Sequence, residues 1–213
     1  MRNPVVVVGA GGFGRETIDV IEAVNAASAA PVFELLGVLD DGPSTDSLDR
    51  LSARGIRHLG PVAGAAVVGA AGYIVGIGAP AVRRRIAACL ESFGLVPVTA
   101  VHPSAIVGSA SRIGPGTVIC AHTTVSTNVR IGAHVQLNPS VTVGHDSVLY
   151  DFVSVNPAAT ISGECSIRSG VLVGAGAVVL QGLTVHDDTV VGASACVVRD
   201  TEPAAVLKGV PAR

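Results

Sequence analysis

From Val101 to Val197 a valine, isoleucine or leucine recurs at every sixth position without interruption, running Val101, Val107, Ile113, Ile119, Val125, Ile131, Leu137 and onward. A second series follows each of these four residues later and is nearly all small or β-branched: Ala105, Ser111, Thr117, Thr123, Val129 and so on to Ala195. A period of six fits neither a 3.6-residue helix nor an alternating strand. It predicts a short strand, a corner and another short strand, with the branched residue pointing inward each time. Three such hexapeptides close one triangular coil of about eighteen residues, a parallel β-helix. A valine-rich sandwich would instead show turn clusters spaced about 8–12 residues apart and a period of two. Each coil leaves strand edges unpaired until the next stacks on it, so the pattern must run over several coils to be stable. The residue after each inward one is a glycine or asparagine at Gly108, Gly114, Gly132, Asn138, Gly144, Asn156, Gly174 and Gly192, which places a φ > 0 corner there.

The first hundred residues have other periods. Val5 to Val8 reads as a buried strand, followed by a glycine loop and a helix from Arg15 to about Ala26 with Ile18, Ile21 and Val24 on one face. Val32 to Leu39 reads as a second strand ending at Asp40-Asp41, Tyr73 to Gly78 as a third, and Ala81 to Phe93 as a helix. This β-α-β order predicts a small Rossmann-like parallel sheet. The chain therefore divides into an α/β domain over 1–100 and an all-β solenoid over 101–213.

Composition narrows the chemistry. Hydrophobic residues make up 49% of the 213, aromatics only 3%, and tryptophan is absent, so the core is built from Val, Ile, Leu and Ala. A net charge of -2 argues against a nucleic-acid or anionic-membrane partner. The cluster Arg83-Arg84-Arg85 reads as a solvated helix face, with a phosphate partner as the competing reading. The four cysteines, Cys89, Cys120, Cys165 and Cys196, are scattered, which suits a reducing cytoplasm. The apolar run Val5 to Val8 is too short for a leader or a membrane span.

Gly9-x-Gly11-x-x-Gly14 lies after a strand and before a helix, the context in which such a loop lets backbone approach phosphates at a helix N-terminus. Asp40 lies 26 residues past Gly14, farther than a dinucleotide fold places its acidic residue. A nucleotide sugar, a dinucleotide and a structural glycine turn all remain open for this loop, the first preferred. Among the histidines, His145 stands beside Asp146, two residues after inward Val143, so it faces out of the prism. One coil on, the same position is Gly163, which leaves space above the imidazole. A neutral imidazole next to a carboxylate suits a general base; a solvated surface histidine is the competing reading, since His102, His122, His134 and His186 also point outward. No histidine pair has the spacing of a metal site, so no metal is expected. Cys165 falls in the inward series and is an inert thiol, which favours direct transfer over a covalent intermediate.

Over essentially its whole length the chain resembles the sialic acid O-acetyltransferase and UDP-4-amino-sugar N-acetyltransferase group of hexapeptide-repeat enzymes. The resemblance is carried by Val8-Gly9-Ala10-Gly11-Gly12-Phe13-Gly14, Leu39-Asp40-Asp41, Gly76-Ile77-Gly78, His102-Pro103-Ser104-Ala105, Val143-Gly144-His145-Asp146, Ser162-Gly163 and Lys208-Gly209-Val210-Pro211-Ala212. It implies a left-handed β-helix, acetyl-CoA as co-substrate, and a homotrimer with sites in the clefts between neighbouring solenoids. It also implies a nucleotide-sugar substrate held by Gly11, Gly12, Phe13, Asp40, Asp41 and Gly78. His145 would accept the proton with Asp146 raising its basicity, and CoA would run near Ser154, Gly163, Ala175 and Ala193. The chain departs from the group's pattern at Ser154, Ala175 and Ala193. N-acetylation of an amino sugar is the preferred activity. O-acetylation of a sugar or sialic acid is the alternative, and a non-catalytic solenoid the second.

Overall fold

The structure, a computed structural model, describes residues 3–69 and 72–213; Met1 and Arg2, counted above in the first domain, lie outside the described residues. The first domain is a four-stranded sheet in the order β2-β1-β3-β4. Its elements are β1 (Asn3–Val8), α1 (Gly12–Ala27), β2 (Phe33–Leu39), α2 (Thr45–Ser52), a 3₁₀ turn (Val62–Val67), β3 (Gly72–Val75), α3 (Pro80–Ser92) and β4 (Val96–Pro97). All strand pairs are parallel, and Val5 to Val8 are wholly buried in the sheet centre. The run shows no alternation because helices cover both faces. Ile18 and Ile21 of α1 pack on one face, while Ala87 and Leu90 of α3 share a core with Val6 and Val8 on the other.

From Ala100 the chain winds as a left-handed β-helix of about six turns. Two-residue strands form three parallel sheets. Face 1 carries 100–101, 118–119, 136–137 and so on to 206–207; face 2 runs from 106–107 to 196–197; face 3 from 112–113 to 184–185. Partners are offset by one coil, Gln136 opposite Ser154 and Thr142 opposite Thr160. The inward series from Ile119 to Val197 is buried, together with Val129, Val135, Val141, Val153 and Ala159 of the second series. Each buried valine contributes about 1.5–3 kcal/mol by leaving water. At the start of the prism the pattern fails: Val107 is 38% exposed, because no coil lies below the first one to cover it.

The corners differ from the sequence reading. Positive φ falls three residues after the inward one, at Ala110, Gly116, His122, Asn128, His134, Ser140, Asp146, Phe152, Ala158 and Glu164, not at the glycines and asparagines that immediately follow it. Those glycines answer a different demand. A β-carbon on Gly144 would come within 2.5 Å of the Ser162 backbone, since adjacent coils approach most closely there. Asn138 and Asn156 do stack, amide to amide, at 3.1 Å.

Candidate functional site

The first domain sits on face 1. Helix α1 packs on Ala100, Val118 and Cys120, and the other side of the domain reaches the edge between faces 3 and 1, where Phe152 joins the α3 core. Arg84 of α3 meets Asp188 on that edge at 3.5 Å. The contact is organised by Arg83, which the sequence reading placed on a solvated helix face and which is 0% exposed. Its Nε donates to His134 O at 2.8 Å, Nη1 to Ile77 O at 2.7 Å and Gln136 Oε1 at 3.1 Å, and Nη2 to Phe152 O at 2.8 Å and Ser154 Oγ at 2.9 Å. Burial, aided by the charge of Arg84, lowers the guanidinium to about 9, so it remains charged at neutral pH. His134, although directed off the prism, is also covered. It lies between Tyr73 and Phe152, with ring centroids 5.8 and 5.0 Å away. Desolvation holds its pKa below the usual imidazole value.

The residues proposed to hold a nucleotide sugar follow the C-terminal ends of three adjacent strands, the expected edge for a ligand in an open parallel sheet. Gly9 to Phe13 follow β1, Asp40-Asp41 follow β2, and Gly76 to Gly78 follow β3. Asp40 accepts from Ala10 N and Gly42 N at 2.8 and 2.9 Å, tying the loops together, and Asp41 accepts from Val62 N at 2.8 Å. Gly9 and Gly14 are structural, because a side chain at 14 would run into the Gly9 carbonyl. Gly11, Gly12 and Gly78 border open space, and Gly11 caps the first turn of α1 without a side-chain partner, leaving its N–H groups for an anion. A cleft of about 440 Å³ opens here, lined by Val8, Gly9, Asp40, Asp41, Val62, Ala63, Ile77, Val82, Arg85, Ile86 and Cys89. Gly11, Gly12, Phe13 and Gly78 are not in its lining. The α3 wall escaped the sequence reading, although Val82, Arg85, Ile86 and Cys89 recur at helical spacing and mark one face.

His145 lies on the prism edge between faces 2 and 3. Its Nδ1 is 2.7 Å from Asp146 Oδ2, and both side chains are about half exposed, 47% and 49%. The carboxylate is held below its ordinary pKa, first by the hydrogen bond to His145 and then by one from Asn128. With Nδ1–H donating to Asp146, Nε2 carries the free lone pair. Gly163 lies against the ring: a β-carbon there would be 2.7 Å from both Cε1 and Nε2. Any larger residue would displace the imidazole. Cys165 is 1% exposed, and desolvation raises its thiol pKa.

The four residues suggested for CoA do not share a surface. Gly163 is on the His145 edge, while Ala175 and Ala193 are exposed on the edge between faces 1 and 2. Ser154 is 1% exposed and donates to Gly78 O at 2.7 Å while accepting from Arg83. Its hydroxyl belongs to the domain junction. His145 and the cleft at the strand ends are also apart. The first domain packs on the first coils of face 1 and reaches both edges bordering it, and His145 occupies the third edge. Among the described residues no group of three His, Cys, Asp or Glu side chains is placed to hold a metal ion, and no helix is long and apolar enough to cross a membrane.

Residues 4–90 match the PglD N-terminal domain. The whole chain is a structural neighbour of sugar acetyltransferases of the hexapeptide-repeat family. Perosamine N-acetyltransferase from Caulobacter crescentus, solved with CoA and GDP-perosamine, superimposes with a TM-score of 0.89 at 27% identity, covering 99% of this chain and 96% of that one. The acetyltransferase domain of PglB from Neisseria gonorrhoeae, solved with acetyl coenzyme A, gives a TM-score of 0.87 at 26% identity over 100% and 99% of the two chains. GDP-perosamine N-acetyltransferase of Escherichia coli O157:H7 is 28% identical over 153 residues, 68% of this chain. That match spans 64% of the relative, just under two thirds of its length.

Proposed function

We propose that this protein transfers the acetyl group of acetyl-CoA to the amino group of a nucleotide-linked amino sugar, with His145 as general base. The observation that carries the reading is the His145–Asp146 pair at 2.7 Å, its Nε2 side lying against Gly163. The ligands of the solved relatives support the substrate class. In the proposed step the sugar nitrogen attacks the thioester carbonyl while His145 Nε2 takes a proton from it. The tetrahedral intermediate collapses with cleavage of the C–S bond, and the imidazolium returns the proton to the departing CoA sulfur. Backbone N–H groups lining the space between neighbouring solenoids steady the oxyanion.

The separation of base and cleft within one chain supports an assembly in which a neighbouring copy completes the site, and a homotrimer is the arrangement proposed. Ala175 and Ala193, on a different edge from Gly163, fit the same scheme, each CoA arm lying between two solenoids. A cytoplasmic setting suits the four free cysteines.

The test is turnover of acetyl-CoA with GDP-perosamine, followed by release of free thiol, with UDP- and TDP-linked 4-amino sugars as alternative acceptors. His145→Ala should fold and associate like the parent but lose about 10²–10⁴-fold in kcat, the worth of a positioned base. Turnover near the parent level in a correctly assembled His145→Ala protein would place the base elsewhere. Sedimentation of the parent as a monomer at assay concentration, with full activity, would overturn the shared site.

A further inference from the structure

The edge that carries His145 holds a column of residues with left-handed backbone, one per coil: Ala110 at φ 59°, Asn128 at 59°, Asp146 at 60° and Glu164 at 61°. Asn128 and Asp146 are adjacent rungs. Asn128 Nδ2 donates to Asp146 Oδ1 at 3.1 Å, while Asp146 Oδ2 faces His145 Nδ1 at 2.7 Å. Both carboxylate oxygens are therefore engaged, one by the coil below and one by the imidazole. A carboxylate only accepts, so the amide must present its NH₂ here. We propose that Asn128 is a positioning residue for the transfer, fixing the Asp146 carboxylate so that it holds His145 in the tautomer with a free Nε2 lone pair. The inference rests on the reading of His145 as base and adds to it a residue from a different coil.

The physical case is one of restraint. Asp146 has two side-chain torsions, and pinning Oδ1 from below leaves Oδ2 in one place. The pin is rigid because the coil ladder sets both backbones: Asn128 N donates to Ser109 O at 3.0 Å, and Asp146 N to Thr127 O at 3.1 Å. Without it, an exposed carboxylate turns toward water and the imidazole loses its anchor. The outer oxygens of histidine-orienting carboxylates are commonly held in this way, because the partner of the partner decides ring orientation and basicity. The other titratable group of this column is Glu164, one coil beyond Asp146.

The competing explanation is a ladder rung with no chemical consequence, as Asn138 on Asn156 at 3.1 Å is at another edge. Two variants and two readouts separate them. Asn128→Ala keeps a side chain already tolerated in this column and conformation by Ala110, so folding is preserved. It should lower kcat roughly 5- to 50-fold, a fraction of the 10²–10⁴ assigned to the base itself, with KM for acetyl-CoA and GDP-perosamine unchanged. Asn128→Asp sets a carboxylate against Asp146. The added negative charge favours the imidazolium, so the acid limb of the kcat–pH profile should move to higher pH, while the kcat of Asn128→Ala tells a positioning residue from a mere rung. The second readout needs no substrate: long-range ¹H–¹⁵N correlations of the His145 ring in the unliganded protein should show the Nδ1–H tautomer in the parent and a mixture in Asn128→Ala. An inactive His145→Ala with both Asn128 variants at parental pH profile and tautomer overturns the proposal alone. An active His145→Ala overturns the base, and the ring tautomer then still decides whether Asn128 positions it.

Discussion

The prism interior and the domain junction are both buried, yet they are built on opposite principles. Inside the prism every position from Ile119 to Val197 on the six-residue series is aliphatic and buried, and cohesion is the sum of many similar apolar contacts. The junction is organised by one charged side chain, Arg83, whose partners are carbonyls, an amide and a hydroxyl rather than a carboxylate. Removing a methyl group from the first loses a small increment. Removing the guanidinium from the second strands several acceptors at once. A repeating interior tolerates change in proportion to its size, whereas a network centred on one residue fails as a unit.

The largest expected effect is in the prism. Val155 is 0% exposed, and Val155→Asp places an unpaired carboxylate among aliphatics. The expected loss is on the order of 5 kcal/mol, seen as failure to give a soluble protein with a cooperative melt. A parental Tm for this variant would show that the six-residue register is wrong.

Arg83→Leu should come next, costing about 3–5 kcal/mol because buried acceptors lose their donor. The contrast with the prism predicts where the loss appears. The first domain should loosen while the solenoid melts as before, giving two transitions in calorimetry where the parent gives one. A single transition shifted as a whole would mean that the two regions are one cooperative unit.

A pair of glycines sharpens the comparison at smaller scale. Gly163→Ala should displace the His145 ring and lower kcat by about tenfold or more, with KM for the nucleotide sugar little changed. Gly11 borders open space, so Gly11→Val should fold normally and raise KM for the nucleotide sugar while sparing affinity for CoA. Calorimetric titration of each ligand separates the two outcomes, and loss of CoA binding in Gly11→Val would reverse the assignment of the two halves.

The smallest effect is a pH dependence confined to the junction. The folded pKa of His134 lies below its unfolded value of 6.5, so the unfolded state binds more protons in the interval below 6.5. Stability therefore rises with pH through that interval, and the junction weakens on acidification, by at most about 1.4 kcal/mol per unit. Chemical denaturation of the first domain between pH 7.5 and 5 should show this slope, and His134→Gln should remove it. An unchanged slope in that variant would place the titrating group elsewhere.

Much of the candidate site was readable in the sequence. The glycine loop before α1, the Asp40-Asp41 strand end and the adjacent pair His145-Asp146 are local features, and the eighteen-residue step placed Gly163 over the imidazole. The same step links Asn128 to Asp146, so that signal was present too; its meaning depended on side-chain orientation. The α3 wall of the cleft was marked by its helical face, but only the packing of α3 beside β3 turned that face toward Asp40.

The sequence by itself determined the prism, its register and the outward direction of His145, because stacking in a solenoid repeats one local geometry and a linear period suffices to encode it. Tertiary structure alone decided that Arg83 and His134 are buried, that Ser154 belongs to the junction, and that His145 lies on the edge opposite the first domain. Those facts depend on how a helix from one domain meets a sheet face of another. Arg83-Arg84-Arg85 illustrates why: three identical residues acquire three environments, buried at the junction, paired at the edge and lining the cleft, according to the side of α3 each occupies.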